Sequence, residues 1–292
     1  MSELHKCPEH IMVLANSSIP KACTLAGEVS AYLTSIGVCA EQNELDFDTN
    51  GKSLDLEGFD LLIALGGDGT MLSAGHLCAP RDIPLLGINA GRFGFLAELS
   101  SESWQESLPR LLTGEYRLEK RMMLTVDFFQ KGSPAGSWNV INELVVCRGR
   151  YVRPIEVQVE INEGCLTRYI ADGLIAATAT GSTAYALAVG GPIMPPELRN
   201  ILLIPIAPHL SLERAVILAE GASVCMRVRT RHEAVFSVDG HDSIPIHNED
   251  MLRVTANPNS LNMVRFQDPS YFYKNLISYM ENNPVIKTNN DK

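Results

Sequence analysis

Short unbroken apolar runs alternate with helical periodicities over the first third of the chain. Residues 11–15, 61–65 and 83–88 show no polar face, the pattern of strands buried on both sides of a parallel sheet. Apolar positions recur at helical spacing over 21–36, where Gly37 stops the pattern, and over 70–79, where Pro80 breaks it. Residues 41–58 are polar and rich in turn formers and read as a loop, and a further helix over 102–112 ends at Gly114. Alternating strands and helices predict a doubly wound (Rossmann-like) α/β sheet.

The pattern changes near Arg121. Residues 122–129, 138–147 and 155–161 are rich in Val, Ile, Phe and Leu with turn residues between them, which predicts strands and a β-rich, sandwich-like second domain. The expected division is an N-terminal α/β domain over 1–118 and a β-rich domain over 119–267. A last helix is expected from Phe272, Leu276, Ile277 and Met280 at helical spacing, and 268–292 closes with a frayed tail.

The strand at 61–65 runs into Gly66-Gly67-Asp68-Gly69-Thr70. Three glycines let the backbone turn sharply and clear space for a ligand, and the free N–H groups of the following helix start receive phosphate oxygens. No lysine follows, so this is not a Walker A loop. Leu72 stands where the dehydrogenase fingerprint needs its third glycine. The plain alternative is a strand-to-helix turn whose acid complements the helix dipole. The strand at 83–88 leads into a second loop holding Arg92, Phe93 and Phe95. Ligands of open α/β sheets bind at the carboxyl ends of strands, so Arg92 is a candidate phosphate clamp and Phe93 or Phe95 a surface for a ring. The alternatives are a solvated arginine and core phenylalanines.

Two patches beyond Arg121 carry further chemistry. Asn142-Glu143 sets an amide beside a carboxylate, suited to a base edge and sugar hydroxyls, though an exposed strand end would look the same. A strand at 174–177 runs into Thr178-Ala-Thr-Gly-Ser-Thr183, then a small-residue helix closed by Gly190-Gly191-Pro192. Hydroxyls there cap a helix or bond a ligand, the small residues admit a flat ring, Tyr185 offers an aromatic face, and Asp172 an acceptor. His209 reads as structural and Asp239-Gly240 as a hairpin turn. Arg148, Arg150 and Arg153 face an anionic ligand, a neighbouring subunit or solvent.

Composition narrows the classes. An apolar fraction of 46% with 20% charged residues describes a folded chain with a real core. The net charge of −10 argues against nucleic acid and acidic membrane as partners. Seven dispersed cysteines without a C-x-x-C pair fit a reducing compartment, and no apolar run is long enough for a span, so a soluble cytoplasmic protein is expected.

Gly66-Gly67-Asp68-Gly69-Thr70 resembles a signature shared by NAD kinases, diacylglycerol and sphingosine kinases and phosphofructokinases. The segment around Arg92 to Leu96 is similar to the G-x-x-G-F-L loop of NAD kinases, and Asn142-Glu143 to their second motif. The run 178–192 resembles T-P-T-G-S-T-A-Y…G-G-P, with Ala179 in place of the proline. Ile204-Pro-Ile-Ala-Pro-His209 and Val238-Asp239-Gly240 follow in the family's order, so the likeness to the bacterial type of NAD kinase covers about residues 60–245. It implies transfer of the γ-phosphoryl of ATP, or of another phosphoryl donor, to the 2′-hydroxyl of the adenosine ribose of NAD. Asp68 is the implied catalytic residue, favoured as an orienting group because a carboxylate is a weak base toward a sugar hydroxyl. Gly66, Gly67, Gly69, Thr70, Arg92 and Phe95 are the implied contacts to the nucleotide phosphates. Asn142, Glu143, Asp172, Thr180, Thr183, Ala184 and Tyr185 are the implied NAD contacts. Mg²⁺ held mainly by donor phosphates, and a homodimer or homotetramer, complete what the resemblance implies. The rival readings are a related kinase acting on a lipid or sugar, and a non-catalytic NAD-binding sensor.

Overall fold

A computed structural model of the protein describes residues 7–45, 54–91, 94–209, 212–274 and 276. The chain forms two compact units, one of Met1–Lys120 with Leu261–Lys292 and one of Arg121–Ser260.

In the first unit β1 (His10–Asn16), α1 (Pro20–Ser35), β2 (Cys39–Leu45), β3 (Leu61–Gly66), α2 (Asp68–Cys78), β4 (Leu85–Asn89), β5 (Leu99–Ser100) and α3 (Trp104–Leu112) follow in order. The strands pair in parallel in the order β2-β1-β3-β4, with Ile11 opposite Leu61 and Leu65 opposite Ile88. Every residue of β3 and β4 is buried, because helices cover both faces. Leu25, Val29 and Leu33 of α1 and Trp104 and Leu108 of α3 pack on Ile11, Val13, Ile63 and Ile88. On the opposite face Met71 of α2 reaches Gly87, where an added Cβ would lie 2.7 Å from its sulfur. Each such aliphatic side chain contributes about 1.5–3 kcal/mol on burial, which is why the apolar runs choose the sheet interior.

Strand β2 corrects the reading of 41–58 as loop. Glu41, Gln42, Asn43 and Glu44 are exposed on an edge strand, and backbone pairing to β1 holds the strand without an apolar pattern. Residues 46–53 lie outside the described residues, as do Asn275 and 277–292 of the expected last helix and tail. Tyr271 and Phe272, at the start of that helix, are buried.

The second unit is built from β6 (Arg117–Gln130), β7 (Ser133–Val140), β8 (Glu143–Arg148), β9 (Ile155–Ile161), β10 (Gly164–Ala171), β11 (Gly173–Ala177), the one-turn α4 (Tyr185–Ala188), β12 (Asn200–Ile206), β13 (Val216–Ala219), β14 (Val224–Arg229), β15 (Ala234–Val238), β16 (Ile244–Ile246) and β17 (Met251–Arg265). The unit boundaries fall inside β6 and β17, two continuous strands, and not in a polar linker. One antiparallel sheet runs β13-β12-β11-β8-β15-β16, and β10-β9-β14 with the first part of β17 form another. Their inward residues share one core, in which Phe236 meets Phe128 at 5.1 Å and Trp138 at 5.3 Å between ring centroids.

Strand β11 is buried along its whole length. Leu174 and Ala176 enter that core, while Ile175 and Ala177 pack with Ala179, Ala186 and Met194 on the other face. The expected single strand over 138–147 is two strands, broken at Ile141-Asn142. The break has its cause in Asp239, far away in sequence.

Candidate functional site

In the first unit Gly66 ends β3 and Gly67 caps α2, so Asp68 is the first helical residue, ahead of the start that the apolar pattern predicts. Its carboxylate accepts the backbone N–H of Phe95 at 3.0 Å and of Leu96 at 3.1 Å, one on each oxygen. Two charge-assisted bonds from consecutive amides hold the side chain in one orientation while it stays half-buried. Gly94 lies flat against it: an added Cβ would overlap the carboxylate. An added Cβ at Gly66 would likewise overlap the Thr70 side chain.

Thr70 is buried, and its hydroxyl accepts the Asn16 amide at 3.2 Å. Its side chain therefore serves the turn, and what it offers a ligand is backbone. Gly69 is exposed and Phe95 half-buried. Arg92 and Phe93 lie outside the described residues.

In the second unit the key residue is one that hairpin chemistry alone explains only in part. Asp239 and Gly240 are both left-handed, at φ 50° and 75°, as a tight turn requires. The Asp239 carboxylate also accepts three successive N–H groups, from Ile141 at 2.8 Å, Asn142 at 2.8 Å and Glu143 at 3.0 Å. These bonds replace ladder pairing and break the strand there. The freed carbonyl of Asn142 then accepts the Thr178 N–H at 2.9 Å, and the Thr178 hydroxyl donates to Ile141 O at 2.6 Å. Gly181 packs so closely on Asn142 that an added Cβ would overlap its carbonyl. Asn142-Glu143 and the run 178–185 thus form one patch.

Glu143 is buried in it. The Tyr185 N–H bonds its carboxyl group, and among the described residues Oε2 has no hydrogen-bond partner. Burial first, and the Asp239 charge second, push its pKa from 4.5 to about 8. At neutral pH the side chain is a carboxylic acid, able to donate as well as accept.

The hydroxyls of the run 178–183 divide into two groups. Ser182 bonds Ala179 O at 2.7 Å and the Met194 N–H at 3.0 Å, and Thr180 is buried with its hydroxyl accepting from Arg121 at 3.3 Å. They hold the loop. Thr183 and Ala184 are partly exposed, and Tyr185 is 43% exposed. The expected longer helix is a 3-10 turn over Thr180–Thr183 and then four helical residues. Asp172 is paired with Arg148 at 3.1 Å, so a ligand group reaching it competes with a guanidinium. His209 is exposed, with its N–H on Ile170 O.

Sequence reasoning missed three residues. The clamp by Asp239 had only its turn signal, and Arg121 had no signal. Arg265, at the end of β17, is fully buried with Glu98 and Glu119 at 3.2 and 3.0 Å. A lone arginine closing the apolar run Met263-Val264 was the one available hint. Among the described residues no group of three His, Cys, Asp or Glu side chains comes together to hold a metal, and no helix is long and apolar enough to cross a membrane.

Comparison with known proteins gives consistent matches. Residues 11–116 match the model of the ATP-NAD kinase N-terminal domain, and 141–266 that of the ATP-NAD kinase C-terminal domain. An NAD kinase of Dehalococcoides mccartyi is 35% identical over 265 residues, covering 90% of this chain and 93% of that protein. One from Chloroflexus aggregans is 35% identical over 270 residues, covering 92% and 98%. The fold is similar to that of yeast NADH kinase complexed with NADH (TM-score 0.80, 23% identity, 96% of this chain and 90% of that one). It is also similar to that of an NAD kinase from Archaeoglobus fulgidus in complex with ATP (TM-score 0.74, 24% identity, 94% and 99%).

Proposed function

The chain belongs to the NAD kinase family, and we propose that it makes NADP by passing the γ-phosphoryl of ATP to the adenosine 2′-hydroxyl of NAD, with Asp68 orienting that hydroxyl. The observation that carries the role of Asp68 is its carboxylate, half-exposed at the first turn of α2 and held by two amides. In the reaction the ribose oxygen bonds to the γ-phosphorus as the bond to the β,γ-bridging oxygen breaks. ADP leaves, and the hydroxyl proton goes to solvent. Such a loose transition state needs alignment and charge neutralisation more than a strong base, so a carboxylate that cannot rotate is the useful group.

The backbone of half-buried Gly67 and exposed Gly69, with Gly66 and Thr70 shaping the turn, receives phosphate oxygens, and Arg92 and Phe95 belong to the same reading. In the second unit Asn142, Glu143, Thr183, Ala184 and Tyr185 hold the dinucleotide, with buried Thr180 in the same loop. Asp172 stands at the opposite end of β11, against Cys147 and Arg148, and contacts the ligand only if it reaches that end of the strand. A divalent cation, Mg²⁺ in this reading, neutralises the donor phosphates when bound. None of the described residues is assigned to hold it. Assembly as a homodimer or homotetramer, with exposed Tyr151 and Val152 as interface candidates, is tested by sedimentation velocity.

The deciding experiment follows NADP formation from NAD, ATP and Mg²⁺, with NADH and polyphosphate as alternative substrates. Asp68→Asn is expected to lower kcat by at least about 100-fold with KM for NAD within a few fold. Turnover near wild type would remove Asp68 from the mechanism.

A further inference from the structure

The loop that grips Asp68 is itself gripped from behind. Leu96 donates its N–H to Asp68, and its carbonyl accepts from Arg265 Nη1 at 3.1 Å. The same guanidinium bonds Glu98 at 3.2 Å and Glu119 at 3.0 Å, all three side chains being at most 1% exposed, and it lies 5.7 Å from the Tyr271 ring. Arg117 pairs with the far oxygen of Glu119 at 3.3 Å, so two cations balance two carboxylates. Glu98 ties down the loop's other end: its N–H bonds Gly87 O at 3.0 Å, and its Oε1 accepts the Phe266 N–H at 2.8 Å.

Burying such a cluster is a poor way to gain stability. Desolvation of the charges offsets their attraction, and apolar residues of like volume often serve as well. What apolar residues cannot do is hold a carbonyl and two carboxylates at fixed angles, which a planar five-donor fork does. Gly94 against the Asp68 carboxylate and Ala97 against Gly87 leave the segment 94–98 no slack between its two anchors.

We propose that Arg265, set by Glu98 and Glu119, is a positioning residue for phosphoryl transfer: through the Leu96 carbonyl it aims the two amides that orient Asp68. This rests on the reading that Asp68 meets the acceptor hydroxyl. The group touches no substrate; it acts through residues 95, 96 and 68.

The test uses the full chain as wild type, Arg265→Lys, Asp68→Asn and the double variant. Lysine keeps the charge for both glutamates and loses the fork. Arg265→Lys is expected to lower kcat about 10-fold with KM for NAD within about 2-fold, and to speed hydrogen exchange of the Phe95 and Leu96 amides at least about 10-fold. In the Asp68→Asn background it adds less than about 2-fold, because the group it aims is gone. Equal loss in both backgrounds, or unchanged exchange at those two amides, overturns the proposal. If Arg265→Lys shows no cooperative melt, Glu119→Gln takes its place, with about 3-fold expected in the wild-type background, none beside Asp68→Asn, and additive losses again overturning it. Asp68→Asn at wild-type kcat fells the reading of Asp68 and this inference together. Unchanged exchange fells the inference alone.

Discussion

Glu143→Gln isolates one buried carboxyl group and makes it a measurable pH dependence. Glu143 has a folded pKa of about 8 against an ordinary 4.5, raised first by burial and then by the Asp239 charge. Below about pH 4.5 folded and unfolded chains both hold the proton, and its contribution is fully present. Between there and about pH 8 the unfolded chain releases the proton while the fold retains it, so stability falls as pH rises. The slope is about 1.4 kcal/mol per pH unit, and the gap from 4.5 to about 8 sets an upper bound of roughly 5 kcal/mol. Glutamine keeps the volume and both hydrogen-bonding roles of the neutral acid and removes the titration. Urea unfolding of both proteins at pH 5, 6, 7 and 8 gives the difference directly, because the other titrating groups are common to both. Glutamine is expected to gain on wild type by ~1 kcal/mol at each step, levelling off above pH 8. A difference that stays flat from pH 5 to pH 8 would refute the reasoning, and so would a carboxyl ¹³C shift of Glu143 titrating in the ordinary range.

Three further outcomes follow from the same patch. Asp239→Ala strands three N–H groups and is expected to cost about 2–4 kcal/mol by denaturant unfolding, with the carboxyl of Glu143 titrating at lower pH once its neighbour's charge is gone. Gly181→Ala drives a methyl into the Asn142 carbonyl, which backbone cannot yield cheaply; a loss of about 1–3 kcal/mol in stability and a raised KM for NAD are expected. Ala179 already has φ −59°, within proline's range, so Ala179→Pro is expected to stabilise by about 0.4–1 kcal/mol and to tighten NAD binding measured by calorimetry. An unchanged Kd there would show that the loop is preorganised without the ring.

What the chain determines on its own is whatever is written in neighbouring residues. Apolar runs such as 61–65 name a strand with both faces covered, because each residue's burial is decided by its own transfer energy. The change to strand-rich sequence near Arg121 likewise announces a β-rich second unit, and the ordered motifs from Gly66 to Asp239 announce the family. Edge strand β2 escaped, since its stability lies in backbone pairing that leaves no apolar trace. The unit boundaries lie inside strands β6 and β17, where no linker composition marks them.

The tertiary structure decided which motif residues face outward. The hydroxyls of Thr178, Thr180 and Ser182, which in sequence suit capping or a ligand, bond Ile141 O, Arg121 and the Met194 N–H from distant parts of the chain, beside local bonds of Thr178 to Gly181 and of Ser182 to Ala179. The charge state of Glu143 is a tertiary property too, set by burial and by Asp239, which lies 96 residues away. Arg265 stands 169 residues from the carbonyl it holds. Polar side chains take their roles from whichever donors and acceptors surround them, and only folding brings those neighbours together.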